Sequence, residues 1–390
     1  MTAAPHSATL WVAAALALGP AVSLGLARFS YALLLPPMRA DLGWTYTTSG
    51  AMNTVNAAGY LLGALAMPRL LARFDARRLL LAGCVGTVLT LAAHGFVSGD
   101  AALYLLRLLS GATGAATFVS GGVLAARLGS GGSAGLVLGL YYGGTGVGII
   151  ASALLVPPVA ARAAPHAWQA AWWVLAVAAL VATAVAASAT RSLAAPPVGA
   201  AHHERLRWSG FGFALAGYFG FGIGYIGYMT FVVTLLRELQ VPGGQIIAFY
   251  VLLGACVIGS SWLWAGLLQR FRGGQPLALL NALLAVATIL PVASAHPAAV
   301  FASGVLFGSV FLSVVAATTA LVRHNLPPAS WASGIAAFTI VFAAGQIAGP
   351  TLTGWVADGP GGLARGLAGS AAVLALGAAI AALQRPLTRH

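Results

Sequence analysis

The chain alternates long apolar runs with short polar or Gly/Pro-rich breaks, and the runs have the length of a bilayer crossing. A helix needs about 20 apolar residues to span the hydrocarbon core. Twelve such runs can be cut, at residues 10–38, 48–68, 79–97, 101–126, 134–156, 168–188, 210–236, 244–268, 276–294, 298–322, 332–355 and 363–383. The pattern predicts an all-α polytopic membrane protein with twelve transmembrane helices. The longest polar stretch, Thr190 to Trp208, holds Pro196, Pro197, His202, His203, Glu204, Arg205 and Arg207. It reads as a cytoplasmic linker, residues 189–209, between one six-helix bundle over 1–188 and another over 210–390.

The second half repeats the first at a constant offset of 197 residues. Leu70-Leu71-Ala72-Arg73-Phe74 returns as Leu267-Leu268-Gln269-Arg270-Phe271, while Gly25, Tyr31, Gly111 and Gly148 return as Gly222, Tyr228, Gly308 and Gly345. An ungapped register over five helices points to duplication. Duplicated six-helix halves with a binding site near the midplane are a secondary-transporter architecture.

Composition removes the soluble alternatives. Of 390 residues 60% are hydrophobic and 6% charged, with a mean hydropathy of +0.92; ordinary globular chains are about a quarter charged. The formal charge of +13 comes from arginine, because lysine is absent. The arginines sit between apolar runs instead of clustering on one face, which means membrane orientation and not nucleic acid. With the N-terminus inside, the cytoplasmic segments hold Arg69, Arg73, Arg77, Arg78, Arg127, Arg191, Arg205, Arg207, Arg270, Arg272, Arg323, Arg385 and Arg389. The outer loops hold only Arg39, Arg162, Arg237 and Arg365, so both termini are expected in the cytoplasm. The first run lacks the flanks of a cleaved signal and is expected to be a retained helix. Cys84 and Cys256 lie in opposite halves and read as small apolar fillers.

Two arginines remain, Arg28 and Arg107, both inside apolar runs. A charge at such a depth costs about 2.5 to 3.5 kcal/mol on insertion scales, so it is paired, faces water or serves a ligand. At 1.5 Å per residue the two lie roughly 15 and 10 Å from the outer face. The acidic residues Asp41, Asp75, Asp100, Glu204, Glu238 and Asp358 all fall at run ends or in loops. Proton relays use buried carboxylates or histidines; here only His94, near an outer boundary, comes close, and it also fits an interfacial histidine. With no buried acid expected, an anionic small molecule is the natural partner of guanidinium. Arg28 could instead brace the first two helices through Asn53 and Asn56.

Polar stripes supply the remaining candidates. Asn53, Asn56, Tyr60 and Gly63 share a helical face, as do Tyr218, Gly222, Tyr225 and Tyr228. Tyr225 stands at the repeat position of Arg28, and Tyr31 at that of Tyr228. Tyr142 and Thr145, then Thr339 and Gln346, complete the set. Trp168, Trp172, Trp173 and Trp355 lie near run ends and fit an aromatic belt. No phosphate-cradling loop, zinc spacing or Ser/His/Asp cluster is visible, so neither an enzyme, a cofactor nor a metal is expected.

These motifs resemble the major facilitator superfamily. Gly63 to Arg78 is similar to its cytoplasmic loop signature, with Ala72 in place of the aspartate and Asp75 three residues late. Arg107-Leu-Leu-Ser110-Gly111-Ala-Thr-Gly114 resembles its arginine-glycine motif, and Gly345 to Gly354 a stretch of its eleventh helix. The run Gly25 to Met38, followed by Asn53, Asn56 and Gly59 to Gly63, looks like the YbfB/YjiJ-type branch. The resemblance implies a multi-pass carrier, likened to monomeric secondary transporters of the bacterial inner membrane, with its first and fourth helices near a central cavity. A small organic anion would be moved, alone, with protons or against a second anion. The alternative is an exporter of hydrophobic or cationic compounds. The fifth run has Gly139, Gly143, Gly144, Gly146 and Gly148 but lacks the glycine-proline pair of antiporters, which opposes that alternative.

Overall fold

The computed structural model describes residues 6–129, 134–160, 164–193, 208–327 and 330–387. Most of the expected linker, with Pro196, Pro197, His202, His203, Glu204, Arg205 and Arg207, lies outside them, as do Arg162 and Arg389. Among the described residues every regular element is helical. The helices are α1 (His6–Pro20), α2 (Tyr31–Leu42), α3 (Tyr46–Leu71), α4 (Ala76–His94), α5 (Asp100–Leu128), α6 (Ala134–Ala160) and α7 (Ala167–Ala189). They continue as α8 (Gly212–Glu238), α9 (Gly243–Leu263), α10 (Ala265–Arg270), α11 (Gln275–Ala293), α12 (Pro297–Asn325), α13 (Trp331–Ala357) and α14 (Gly362–Ala382). Among the described residues eleven stretches are long and apolar enough to cross a membrane. Helix α3 has the length, at 26 residues, but its stripe of threonine and asparagine makes it more polar.

Two of the expected runs are not single α-helices. The first is α1 and α2 joined by a π-helical segment, Ala21–Phe29. The eighth ends at Leu263 and restarts at Ala265, where the Trp264 indole donates to the Ser309 carbonyl at 2.7 Å.

Contacts divide the chain into two compact units, Met1–Gly43 with Val55–Ala200, and Trp44–Thr54 with Ala201–His390. In the first unit, α1, the π-helical segment and α2 form the inner strut, packed by α4, α5, α6 and α7. Asp41, in the last turn of α2, accepts from the Trp168 indole at 2.6 Å and from His166 Nδ1 at 2.5 Å, which fastens α2 to the start of α7. In the second unit α8 is the inner strut, buried along most of its length against α11, α13 and α14.

The sequence repeat returns as a repeated helix crossing. A Cβ on Gly148 would come within 2.8 Å of Gly25 Cα, and one on Gly222 within 3.1 Å of Gly345 Cα. Gly111 likewise lies against the Asn56 and Tyr60 backbone, and Gly308 against Leu253 and Cys256. Small residues let apolar helices approach this closely where no hydrophobic force drives them together. The inner strut of each unit is therefore seated by glycine on glycine.

The second unit also takes in residues 44–54. Asp358, just past α13, accepts from the Tyr46 and Thr47 amides at 2.8 and 2.9 Å and from Thr47 Oγ1 at 2.6 Å. It caps the N-terminus of α3, where unsatisfied amides and the helix dipole favour a carboxylate. Tyr46 donates its hydroxyl to Glu238, and Thr54 donates to the Ile347 carbonyl at 2.7 Å.

Two sequence expectations need correction. Trp168 and Trp172 are buried, not part of an exterior belt; one bonds Asp41 and the other stacks on His94, while Trp173 and Trp355 are exposed as expected. Cys84 is a buried filler, but Cys256 is only half-buried.

Candidate functional site

The first unit buries two guanidiniums. Arg28 lies in the π-helical segment, where the Ser30 amide donates to the Gly25 carbonyl, five residues back, at 3.1 Å. Ser30 Oγ donates to the Leu26 carbonyl at 2.5 Å and Ser23 Oγ to the Gly19 carbonyl at 3.0 Å. Widened turns of this kind occur mostly as short insertions, often at functional sites. Here one carries the odd charge of the first helix, and Arg28 is only 4% exposed.

The Arg28 guanidinium carbon lies 5.6 Å from the centre of the Tyr60 ring on α3. Tyr60 faces Phe118 of α5 at 6.5 Å, and Phe118 faces Tyr142 of α6 at 5.7 Å. This aromatic row runs from a buried charge to a tyrosine that is 38% exposed. Arg107, buried on α5, donates from Nη1 to the Ala27 carbonyl at 3.2 Å and sits 4.5 Å from the centre of the Tyr31 ring. Asn56 donates its amide to the Arg107 carbonyl at 3.0 Å. The charges of Arg28 and Arg107 are close enough to act on each other. Guanidinium engages rings through its face and planar acceptors through its N–H edges. None of the described acidic residues is buried.

In the second unit the candidates enter an aromatic stack. Tyr218 and Tyr225 both stack on Phe221 and on Phe342 of α13, with interplanar angles of 17° to 20°. Tyr225 also stacks on Phe311 of α12, and Gln346 donates its amide to the Tyr225 hydroxyl. Tyr228 turns elsewhere: its ring lies 4.1 Å from that of Phe307 and its hydroxyl is 2.6 Å from Ser303 Oγ. Asn53 donates to Thr230 Oγ1 at 2.7 Å. All five, Asn53, Tyr218, Tyr225, Tyr228 and Gln346, are buried.

A profile of the family described as "Uncharacterised MFS-type transporter YbfB" matches residues 20–382. The chain belongs to this family of MFS-type transporters. It is a multi-pass membrane protein and not an enzyme. A search of curated proteins returned no match. Among solved structures the transporter is similar to a bacterial homologue of the human lysosomal transporter Spinster, inward-facing and unoccupied, at 13% identity with a TM-score of 0.75, covering 97% of each chain. It is also similar to the nucleoside transporter NupG at 13% identity and a TM-score of 0.70, covering 96% of this chain and 97% of that one. The human organic anion transporter MFSD10 (TETRAN) matches at 14% identity and a TM-score of 0.65, covering 97% of this chain and all of the other. At these identities the likeness is one of fold.

Sequence reasoning missed several residues in these clusters of the transporter. Phe221 lies three residues after Tyr218 and four before Tyr225, and Phe342 four before Gln346, so helical spacing alone places them on the candidates' faces. Phe118 carried no such signal; its role comes from α5 packing on α3 and α6. His94, expected at the membrane interface, is only 1% exposed and is stacked on Trp172 at 4.4 Å. Thr145 is buried, whereas Thr339 is exposed and bonded to its own helix.

Proposed function

We propose that this transporter moves a small organic anion, a carboxylate in the first instance, across the bacterial inner membrane by alternating access of two bundles, residues 1–188 and 210–390. The observation that carries this reading is the pair of buried guanidiniums in one unit, Arg28 over Tyr60 and Arg107 over Tyr31. Two guanidinium charges in a low-dielectric interior attract an anion that lies against both more strongly than they would in water. Carboxylate suits them because it takes two parallel N–H bonds from one guanidinium. The proposed contacts are Arg28, Tyr31, Asn56, Tyr60, Arg107 and Tyr142 in the first unit. In the second they are Asn53, Tyr218, Tyr225, Tyr228 and Gln346. The aromatic row beside Arg28 favours an anion with a flat or apolar body, which makes benzoate the first probe.

The transporter acts as a monomer with both termini in the cytoplasm. The fold neighbours carry the names of different cargoes, a nucleoside and organic anions. Fold therefore selects no substrate, and the side chains of this chain must. Export of hydrophobic or cationic compounds fits less well, since two like charges repel a cation. Proteoliposome uptake of labelled benzoate tests the reading. Arg28→Ala abolishes uptake and Arg28→Lys loses most of it, because a point charge cannot replace the planar fork. Normal uptake by the alanine variant overturns the reading, and transport of lipophilic cations without any carboxylate favours the exporter.

A further inference from the structure

The end of the second unit that holds the C-terminal segment is tied together by two buried amides. Asn325, the last residue of α12, donates to the Arg272 carbonyl at 2.8 Å and accepts from the Leu387 amide at 2.7 Å. The Gln384 side chain donates to the Gly210 and Arg385 carbonyls at 2.9 and 2.8 Å, and its main-chain carbonyl accepts from the Gly274 amide at 2.9 Å. Beside them His324 Nδ1 donates to the Phe271 carbonyl at 3.1 Å. These bonds gather the turn between α10 and α11, the end of α12 and the tail into one place.

Each of the three segments brings arginine to it: Arg270 and Arg272, Arg323, and Arg385, all exposed. Among the described residues no carboxylate meets them. Glu238 is in the last turn of α8, about 40 Å from the start of that helix at 1.5 Å per residue, and Asp358 is bonded to Tyr46, which also bonds Glu238. The first half differs at this turn. At the offset of 197 residues Arg272 takes the place of Asp75, whose carboxylate caps α4 by accepting from the Arg78 amide at 3.1 Å. Helix α11 starts instead from Gly274 with no side-chain cap, so the positive end of its dipole adds to the arginines.

Apolar side chains lie among these charges. Phe271 and Leu383 are exposed, and the Arg270 and Arg323 guanidinium carbons lie 5.7 and 5.1 Å from the centres of the Phe271 and Trp331 rings. A soluble anion gains nothing from exposed apolar surface beside its site. A phospholipid presents a phosphate and acyl chains side by side, and matches both.

We propose that this end of the second unit binds an anionic phospholipid, its phosphate held by Arg272, Arg323 and Arg385 and its acyl chains against Phe271 and Leu383. The bound lipid fastens the α10–α11 turn, α12 and the tail to one another, and it raises thermal stability because it binds the folded state. The site stands apart from the substrate reading, and no substrate enters its test.

The test uses the full-length transporter, delipidated in neutral detergent, with phosphatidylglycerol as the probe and phosphatidylcholine as the zwitterionic comparison. Native mass spectrometry counts retained lipid, and thermal unfolding follows the titration. The wild type retains phosphatidylglycerol and unfolds at a higher temperature as it is added, less so at high salt; phosphatidylcholine does neither. Arg272→Gln combined with Arg385→Gln weakens the affinity about 30-fold, roughly fivefold for each charge. Arg272→Asp, which restores the acid of the first half, abolishes retention. Arg237→Gln, exposed at the far end of α8, behaves as the wild type. Arg385→Gln alone, with its fivefold loss, decides the matter if the other variants do not fold. Equal retention of the two lipids by the wild type, or unchanged phosphatidylglycerol affinity in the variants, overturns the proposal. Displacement of the lipid by inorganic phosphate assigns the arginines to a soluble anion and overturns it as well.

Discussion

Arg107 lays its guanidinium 4.5 Å from the centre of the Tyr31 ring while donating to the Ala27 carbonyl at 3.2 Å. These two anchors lie on either side of Arg28 in the sequence, so α5 holds its charge against the stretch of backbone that carries the other one. Tyr31→Phe keeps the ring and leaves benzoate affinity within about twofold. Tyr31→Leu weakens it by roughly 2- to 30-fold, the span of a cation–π contact of about 0.5 to 2 kcal/mol. Titration calorimetry on both variants checks this, and equal affinities for Phe and Leu would deny the ring a role.

Asn56 ties α3 to α5 through the Arg107 carbonyl at 3.0 Å. Asn56→Leu removes the donor at a buried acceptor. Hydrogen bonds between membrane helices average about 0.6 and reach about 1.7 kcal/mol, so the variant is destabilised by that order in a denaturant titration. A thermal midpoint equal to the wild type would mean the bond contributes nothing net.

The glycine crossings predict a matched pair of defects. Gly148→Val and Gly345→Val force a side chain into the facing backbone of the inner strut. Overpacking of this kind costs about 1 to 3 kcal/mol. Gly259→Ala has nothing within 4 Å of the added carbon and serves as the control, expected to be neutral or stabilising. Measured losses at Gly259 as large as at Gly148 would place the effect in the helix backbone and not in the crossing.

Asp358 predicts a pH dependence confined to acid. Burial pushes its carboxyl up, but the Thr47 hydroxyl and the Thr47 and Tyr46 amides outweigh this and hold it below its ordinary value. A depressed carboxylate stabilises the folded state above its unfolded value of about 4, and the contribution is lost as pH falls through the lower folded value. The difference in thermal midpoint between wild type and Asp358→Ala is therefore constant near neutrality and shrinks below about pH 4. A difference that shrinks between pH 6 and 8 would assign it to another group.

Much of the fold was legible because the bilayer imposes a single length scale on every apolar run, and because the repeat keeps one register through both halves. The offset matched Gly25 to Gly222 and Gly148 to Gly345; that Gly25 seats on Gly148 and Gly222 on Gly345 came from the packing. The π-helical turn at Ser30 was not legible, since a run of small and apolar residues suits an α-turn equally well and only packing selects the wider one. Arg28 and Arg107 stood out as charges in apolar runs. That they lie over Tyr60 and Tyr31, and that His94 is stacked on Trp172, depends on helix rotation.

The sequence by itself determined the membrane class, the duplication and the presence of two arginines inside apolar runs, because hydropathy and charge act residue by residue along a helix. Only the tertiary structure decided which ring each guanidinium covers and which indole the His94 imidazole stacks on. Such contacts join residues far apart in the chain, through helix rotations and approaches of a few ångströms that no one-dimensional pattern encodes.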